Sequence, residues 1–388
     1  MRVLFVSHSF PPADRPLSNI GGMQRVSTEL HAALSSRDDV EYSSLVLRSS
    51  WQWTHVKTGP FLLRALFEIR RVVQRGEVDV VLFSSMVTAS LAALLKPLLE
   101  RNGVYAAAIV HGRDVTMDLA PYQTLVPHIF DALDAVLPVS RATGDACIAR
   151  GLHSDKVYVI PNGVSVGRFG TTPSKKDVRA ELLHRFGNGR PVPDRGLLLC
   201  SVGRQVKRKG FAWFIENVLP LLPEDVHYWL AGDGPEADEI AAAARAGNAR
   251  DRVKLLGRVS EEDLQLLYRG ADLFVMPNIP VPGDMEGFGV VMLEAGVCGL
   301  PTIASSLEGI TDVIEEGENG HLVSSGNAWE FSEAVMRYYH EHDALEAARS
   351  RAARYVERHF SWHAVAQKYV DIMESVIEPA FMPEAVPA

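Results

Sequence analysis

Along the whole chain, short runs of aliphatic and β-branched residues alternate with longer amphipathic stretches. The runs "RVLFVSH" (2–8), "VDVVLFSS" (78–85) and "YAAAIVHG" (105–112) have strand length and little alternation, as expected of parallel strands buried on both faces. Helical periodicity fills residues 22–36 and 61–75 between them. A second series follows: "LLLCSVG" (197–203), "VHYWLAG" (226–232), "RVKLLG" (252–257), "LFVMP" (273–277) and "PTIASS" (301–306), each separated by a helix-like segment. Two such series predict an α/β protein with two Rossmann-like, doubly wound domains. Glycine, proline, serine and lysine cluster in "GRFGTTPSKKD" after the strand "KVYVIP", which puts the break near residue 172. The expected divisions are 1–172, 173–360 and a last segment 361–388, a helix to about Ile377 with a proline-bearing tail.

In such domains the chemistry sits on loops at the carboxyl edge of the sheet. The loops to watch are therefore 9–22, 111–118, 203–210, 232–236 and 278–289, which two facing domains would bring to a common cleft. "VGRQVKRKGF" holds Arg204, Lys207, Arg208 and Lys209 just before a helix expected from Gly210. Cations there oppose the helix dipole and make sense if an anion lies between them; otherwise the loop is a solvated surface turn. "LAGDGPEADEI" has Gly232 and Gly234 but lacks the third glycine of a dinucleotide fingerprint, so it reads as a tight turn feeding a helix at Pro235. In "SFPPADRPLSNIGGMQR", Gly21 and Gly22 open a helix, either to let a backbone approach an anionic ligand or as a hinge in a flexible loop. "VHGRDV" ends a strand with His111 and Asp114.

"EGFGVVMLEAG" (286–296) places two carboxylates at the ends of an apolar and glycine run. Carboxylates are rarely buried without partners, so Glu294 either lies on a solvated face or meets a polar group. With a helix starting near Gly289, Glu286 stands in the loop before it and Glu294 in its second turn. The order is then acceptor, helix N-terminus with free N–H groups, acceptor. A nucleotide sugar has the matching order of sugar hydroxyls, diphosphate and ribose hydroxyls.

Composition narrows the field. The 388 residues are 47% hydrophobic and 22% charged, with net charge −9, which argues against non-specific nucleic-acid binding. Cys147, Cys200 and Cys298 match neither a zinc spacing nor a disulfide framework, pointing to a reducing compartment. The start "MRVLFVSHSFPP" suits a buried strand better than a signal peptide, and no apolar run is long enough to span a bilayer; a cytoplasmic location is expected. Between Trp51 and Arg75 the chain carries Trp53, Phe61, Phe67, Lys57, Arg64, Arg70 and Arg71 with only Glu68 acidic. That composition fits peripheral contact with a membrane, while Leu62, Leu66, Ile69 and Val73 form the core stripe of an ordinary sheet-packed helix.

The Glu-x7-Glu of "EGFGVVMLE", together with "VGRQVKRKG", "GDGP" and "LLGRVSEEDLQLLYRGADLFVMP", resembles the glycosyl transferases group 1 family. "GGMQR", "HGRD" and "VYVIPNGV" extend the resemblance over nearly the whole chain. It implies a GT-B fold and a retaining transferase that takes a hexose-type sugar from a nucleotide diphosphate donor. By the same resemblance, Arg204 and Lys209, with Gly21 and Gly22, would hold the diphosphate. Glu286 and the backbone of Gly287, Phe288 and Gly289 would meet the donor sugar. Glu294 would bind the ribose and Val259 would lie against the base. His111 would face the reacting sugar, with Asp114 on the acceptor side. The final helix would return to the N-terminal domain. No cofactor beyond the nucleotide sugar is expected, and the acceptor would be a sugar, lipid or small molecule. The absence of an Asp-x-Asp triplet predicts catalysis without a bound metal. A GT-B epimerase and a non-catalytic nucleotide-sugar-binding protein are the alternatives.

Overall fold

The computed structural model describes residues 1–14, 22–117, 119–169, 174–187 and 196–377, with only the backbone of Trp51, Ala120, Phe169 and Asn248. Gly21, the expected break near residue 172 and the tail from residue 378 therefore lie outside the described residues. The chain forms two compact units, Met1–Gly163 with the segment from Trp362 onward, and Val164–Ser361.

The first unit contains β1 (Arg2–Phe10), α1 (Gly22–Ser35), β2 (Glu41–Arg48), α2 (Trp51–Gln74), β3 (Val80–Phe83), α3 (Met86–Asn102), β4 (Tyr105–Val110), α4 (Arg113–Thr116), α5 (Ala120–Asp131), β5 (Ala135–Pro138) and α6 (Arg141–Ile148). Its five strands lie in the order β2-β1-β3-β4-β5, all parallel. β1, β3 and β4 are the apolar runs read from the sequence, and they are buried almost throughout. β2 was not expected: "EYSSLVLR" is an edge strand, exposed or half-buried along its length, and carries too little apolar signal to stand out.

Helix α2 begins at Trp51 rather than near residue 61. Pro60 lies inside it, and before Phe61 the helix has no core stripe to announce itself. A proline removes one backbone hydrogen bond, but packing of the later turns sustains the helix. Phe61, Ala65, Ile69 and Val73 are buried in the core of this unit, with Leu62 and Leu66 packed against it.

The second unit contains α7 (Lys175–Phe186), β6 (Leu198–Val202), α8 (Phe211–Asn217), β7 (His227–Ala231), α9 (Ala237–Arg245), β8 (Val253–Gly257), α10 (Glu261–Gly270), β9 (Leu273–Met276), α11 (Val290–Val297), β10 (Thr302–Ser306), β11 (Gly320–Ser324), α12 (Ala328–His340) and α13 (His342–Phe360). Its six strands run in the order β11-β10-β9-β6-β7-β8, again parallel. From β6 the chain winds out through β7 and β8, then returns to the other side of β6 with β9. The carboxyl ends of β6 and β9 thus flank the switch in winding direction, where doubly wound sheets bind their ligands. The loops leaving these two strands are residues 203–210 and 277–289.

The last helix, α14 (Trp362–Ile377), belongs to the first unit, where it packs on α1 and β4. Trp362, Val365, Ala366, Tyr369, Val370 and Met373 are its buried face. At its start the Trp362 ring fills the space beside Gly163, where a Cβ would come within 2.6 Å of the indole.

Candidate donor site and histidine cluster

The loop after β6 owes its shape to glycines that a neighbouring turn requires. A Cβ on Gly232 would lie 1.9 Å from the Gly203 carbonyl oxygen, and one on Gly234 would lie 2.3 Å from that of Gln205. Gln205 N–H donates to the Asp233 carbonyl at 2.8 Å, and its side-chain amide to that of Gly232 at 2.9 Å. The "GDGP" turn is therefore a shoulder that supports the basic loop, consistent with its reading as a tight turn. Residues Lys207–Lys209 form a 3-10 turn that Gly210 closes at φ 64°. A side chain there would meet the Pro277 carbonyl oxygen at 2.0 Å, so the two switch-point loops touch at this glycine.

The four cations of this loop take different positions. Arg204 and Lys207 are exposed, whereas Lys209 is buried with its ammonium 2.5 Å from Glu286 Oε2. Arg208 is half-buried, with Nε 3.5 Å from the same carboxylate oxygen and Nη1 3.3 Å from Asp284. Asn278 Nδ2 donates to Glu286 Oε2 at 3.2 Å, and Ile279 N–H donates to the Arg208 carbonyl at 2.9 Å. The proline-rich stretch 278–285 is thus pinned onto the basic loop. Burial pushes the Glu286 carboxyl up, but Lys209, then Arg208, and the hydrogen bonds from Lys209 and Asn278 outweigh it and hold the group below its usual value. Burial also leaves the Lys209 ammonium below its usual value despite the pull of Glu286.

Glu286 is held through its backbone as well. Its N–H donates to the Glu308 carboxylate, and its carbonyl accepts from Gly309 N–H at 3.2 Å. Glu308 sits at φ 49°, the one non-glycine residue with positive φ among the described residues. That conformation costs a side chain about 1–2 kcal/mol. Burial, and after it the charge of Glu286, raise the Glu308 carboxyl, against the hydrogen bond from the Glu286 N–H. Gly309 has no room for a side chain, since a Cβ would fall 2.2 Å from the Gly287 carbonyl oxygen.

Past Glu286 the chain turns into α11 through Gly289, its left-handed N-cap at φ 85°. No side chain caps this helix, so its first N–H groups are left for another acceptor. Phe288 is buried, with its ring 6.4 Å from that of Phe360, so that Gly287, Phe288 and Gly289 offer backbone rather than a side chain. Glu294 lies in the second turn, as expected, and it is not solvated: Oε1 accepts from Arg168 Nη1 and Oε2 from the Tyr268 hydroxyl, each at 3.1 Å. Arg168 also pairs with Glu261. Val259 is half-buried in the loop after β8, just before Ser260 caps α10.

In the first unit, His111 follows β4. Its Nε2–H donates to the Ser84 carbonyl at 3.0 Å, and its backbone N–H donates to Asp114 Oδ1 at 2.9 Å. Asp114 Oδ2 accepts from Met86 N–H, at the start of α3, at 3.3 Å. The Asp114 carboxylate is buried and committed to these two N–H groups, so it staples the loop after β4 to α3. His8, near the end of β1, lies 3.4 Å through Nδ1 from Ser85 Oγ. Burial, with the nearby His111 and His55, pushes it down to about 4, so the imidazole is neutral at physiological pH. Gly22, the first residue of α1, is exposed with open space where a side chain would go.

The sequence reading missed Arg168, Tyr268, Asn278, Asp284, Glu308 and the partnership of Arg208 with Glu286. Arg208 had a signal as one of the clustered cations, and Asn278 and Asp284 lay in the loop 278–289; Arg168, Tyr268 and Glu308 are separated along the chain from the carboxylates and N–H they touch. Lys209 and Glu286 are brought together, whereas Arg204 stands apart on the exposed part of the loop.

Two parallel doubly wound sheets, with a basic loop and a carboxylate-flanked helix terminus at the switch point of the second, define a glycosyltransferase of GT-B type. Solved structures of that fold cover nearly all of the chain. Anabaena Alr3699/HepE in complex with UDP has a TM-score of 0.71 at 19% identity over 97% of this chain and 100% of its own. The catalytic domain of starch synthase IV from Arabidopsis thaliana, bound to ADP and acarbose, has a TM-score of 0.73 at 16% identity over 97% and 99%. Residues 196–341 match the model of the glycosyl transferases group 1, and residues 20–168 that of glycosyltransferase family 4. Together these matches make the chain a glycosyltransferase. Its relatives include the amylovoran biosynthesis glycosyltransferase AmsK of Erwinia amylovora, 27% identical over 303 residues, 76% of this chain and 70% of that protein. The GDP-mannose-dependent alpha-(1-6)-phosphatidylinositol monomannoside mannosyltransferase of Mycolicibacterium smegmatis is 27% identical over 347 residues, 86% of this chain and 88% of its own.

Proposed function

We propose that this glycosyltransferase moves a hexose-type sugar from a nucleotide diphosphate donor to a hydroxyl of a sugar, lipid or small-molecule acceptor, with retention of anomeric configuration and without a bound metal. The observation that carries the reading is the buried Lys209–Glu286 pair beside the uncapped N-terminus of α11, at the switch between β6 and β9. A diphosphate at that terminus accepts from the free N–H groups and draws on the charge of Lys209 and Arg204. As the glycosidic bond breaks, negative charge grows on the leaving phosphate, so these groups act most strongly in the transition state. Glu286, turned toward Lys209, accepts from the donor sugar's hydroxyls with the Gly287–Gly289 backbone beside it. Glu294 accepts from the ribose: a carboxylate has roughly four acceptor positions, and Arg168 and Tyr268 orient it. The base lies against Val259, Gly22 lines the phosphate side, and His111 contacts the donor sugar. Asp114 acts through His111, whose backbone it holds.

Retention is read as a same-face displacement with no covalent sugar–enzyme intermediate. A double displacement needs a free carboxylate against the anomeric carbon. Glu286 is instead ion-paired and stabilised as an anion, which makes it a poor nucleophile. The departing phosphate oxygen takes the acceptor proton on the same face. The enzyme works in the cytoplasm, free or in peripheral contact with a membrane.

The experiment is turnover of UDP-, GDP- and ADP-hexoses, with the product anomer read by NMR and the assay repeated in a chelator. Retained product and undiminished rate in chelator are expected. An inverted product, a glycosylated Glu286 or Asp114 peptide, or activity lost in chelator and restored by magnesium or manganese overturns the mechanism. Nucleotide-sugar binding without any turnover returns the protein to the binding-module alternative.

A further inference from the structure

Helix α2 carries a second apolar stripe on the side away from its core. Trp53, Val56, Leu63 and Phe67 are 58%, 67%, 62% and 69% exposed, and Pro60 is exposed between them. Their three- and four-residue steps put all five side chains within about 80° of one another around the helix. On the same geometry Lys57, Arg64 and Arg71 run along one border of the stripe and Arg70 along the other, all exposed. The only acidic residue of the helix is Glu68, which pairs with Arg71 at 2.8 Å. The inner face is fully accounted for by the core. The outer stripe therefore serves no packing purpose within its unit, and a contiguous exposed apolar stripe marks an interaction surface.

We propose that the outer face of α2 docks on an anionic lipid bilayer, with Trp53, Leu63 and Phe67 entering the interface and Lys57, Arg64, Arg70 and Arg71 meeting lipid phosphates. Charge decides the occupant. The chain as a whole has net charge −9 and would be repelled by an anionic surface, yet this helix face is cationic and apolar together. That pairing suits a headgroup layer over acyl chains. The proposal deepens the peripheral location given above and rests on it, but its test needs no turnover.

The test is sedimentation of the full chain with vesicles of phosphatidylcholine alone or mixed with phosphatidylglycerol, at low and high salt. Three proteins are compared: wild type, the triple variant Trp53→Ser/Leu63→Ser/Phe67→Ser, and the double variant Arg64→Glu/Arg70→Glu. Circular dichroism confirms folding of each. Wild type is expected to partition onto the anionic vesicles at low salt, with each variant weakened roughly tenfold or more. No partitioning of wild type at low salt overturns the proposal. So does equal partitioning of all three proteins, which places the lipid contact elsewhere. Vesicle-independent self-association of wild type that the triple variant abolishes assigns the stripe to a second copy of the chain and also overturns it.

A separate observation concerns Glu308, the non-glycine residue held at positive φ. We infer that Glu308 is a positioning residue for Glu286: its carboxylate holds the Glu286 N–H while Gly309 N–H holds the Glu286 carbonyl, so the residue is gripped through the peptide groups on both sides of its Cα. This rests on the assignment of Glu286 to the donor sugar. Calorimetric binding of UDP-, GDP- and ADP-glucose, each against its diphosphate, isolates the sugar contact. Wild type should bind one nucleotide sugar more tightly than the matching diphosphate. Glu308→Gly should lose most of that difference while its thermal midpoint stays level or rises, because glycine relieves the backbone. Glu308→Gln, which keeps an acceptor oxygen, should restore it in large part. If wild type shows no difference, the assignment of Glu286 fails. If wild type shows it and Glu308→Gly retains it, the grip has no role.

Discussion

Arg204 and Lys209 look equivalent in "GRQVKRK" but differ in burial, and this separates what their removal should do. Arg204 is exposed, so Arg204→Ala is expected to change stability by no more than about 0.5 kcal/mol. Lys209→Ala leaves the buried Glu286 carboxylate with the more distant Arg208 and the Asn278 amide and should cost roughly 3–5 kcal/mol of stability. Both are expected to lower kcat rather than raise KM, each by roughly 3–4 kcal/mol of transition-state stabilisation, by analogy with lost oxyanion donors. Denaturant titration beside steady-state kinetics checks the pair; a variant with raised KM and unchanged kcat contradicts the assignment. Glu286 adds a pH dependence. Its carboxyl is held below the ordinary 4.5, so its contribution to stability is fully present above that value and disappears as the pH falls through the folded-state value. Glu286→Gln should therefore flatten the loss of stability as the pH falls below the ordinary 4.5, measured by urea unfolding.

At the scale of elements, the site depends on two loops meeting at Gly210. Its φ of 64° and the 2.0 Å approach that a Cβ would make to the Pro277 carbonyl leave no room for adjustment by rotamer. Gly210→Ala should cost the about 1–2 kcal/mol of a left-handed side chain and a further amount for displaced backbone. Activity should fall with it, because Lys209 and Glu286 sit on the two sides of that contact. Gly289→Ala is the useful comparison: its Cβ would approach the ends of two flexible side chains, Met292 Cε at 2.7 Å and Met276 Cε at 3.4 Å, so the stability loss should be nearer the conformational cost alone. Thermal unfolding of the two variants ranks them, and a larger loss for Gly289→Ala would count against the loop contact as the determining feature.

At the scale of the whole molecule, the chain leaves its first unit at Gly163 and re-enters it at Trp362. The buried face of α14 covers α1 and β4, and each fully buried large apolar side chain is worth about 1.5–3 kcal/mol. A chain ending at Ser361 should therefore lose the folded first unit, while the second unit, whose residues end at Ser361, keeps its own core. Limited proteolysis with mass mapping of the protected fragment tests this. Protection of the first unit in the truncated chain would show that α14 is dispensable.

Much of this was legible in the residues themselves. Apolar runs of strand length announce themselves, so β1, β3, β4 and β6 to β10 could be read directly, whereas the short β5 and β11 were not read. The start of α11 and the place of Glu294 in its second turn followed from reading Gly289 as the point where the helix begins, and it is the N-cap at φ 85°. The edge strand β2 and the first turns of α2 escaped because exposed segments carry no period-two or period-3.6 core stripe. The tertiary structure alone decided which charges meet. Arg168 with Glu294, Lys209 with Glu286, and Glu308 with the Glu286 N–H are partners separated along the chain, joined by strand order and loop closure. Hydrophobic periodicity is a local property, whereas the pairing of buried charges is settled only when sheets bring distant loops within a few ångströms and exclude the water that would otherwise screen them.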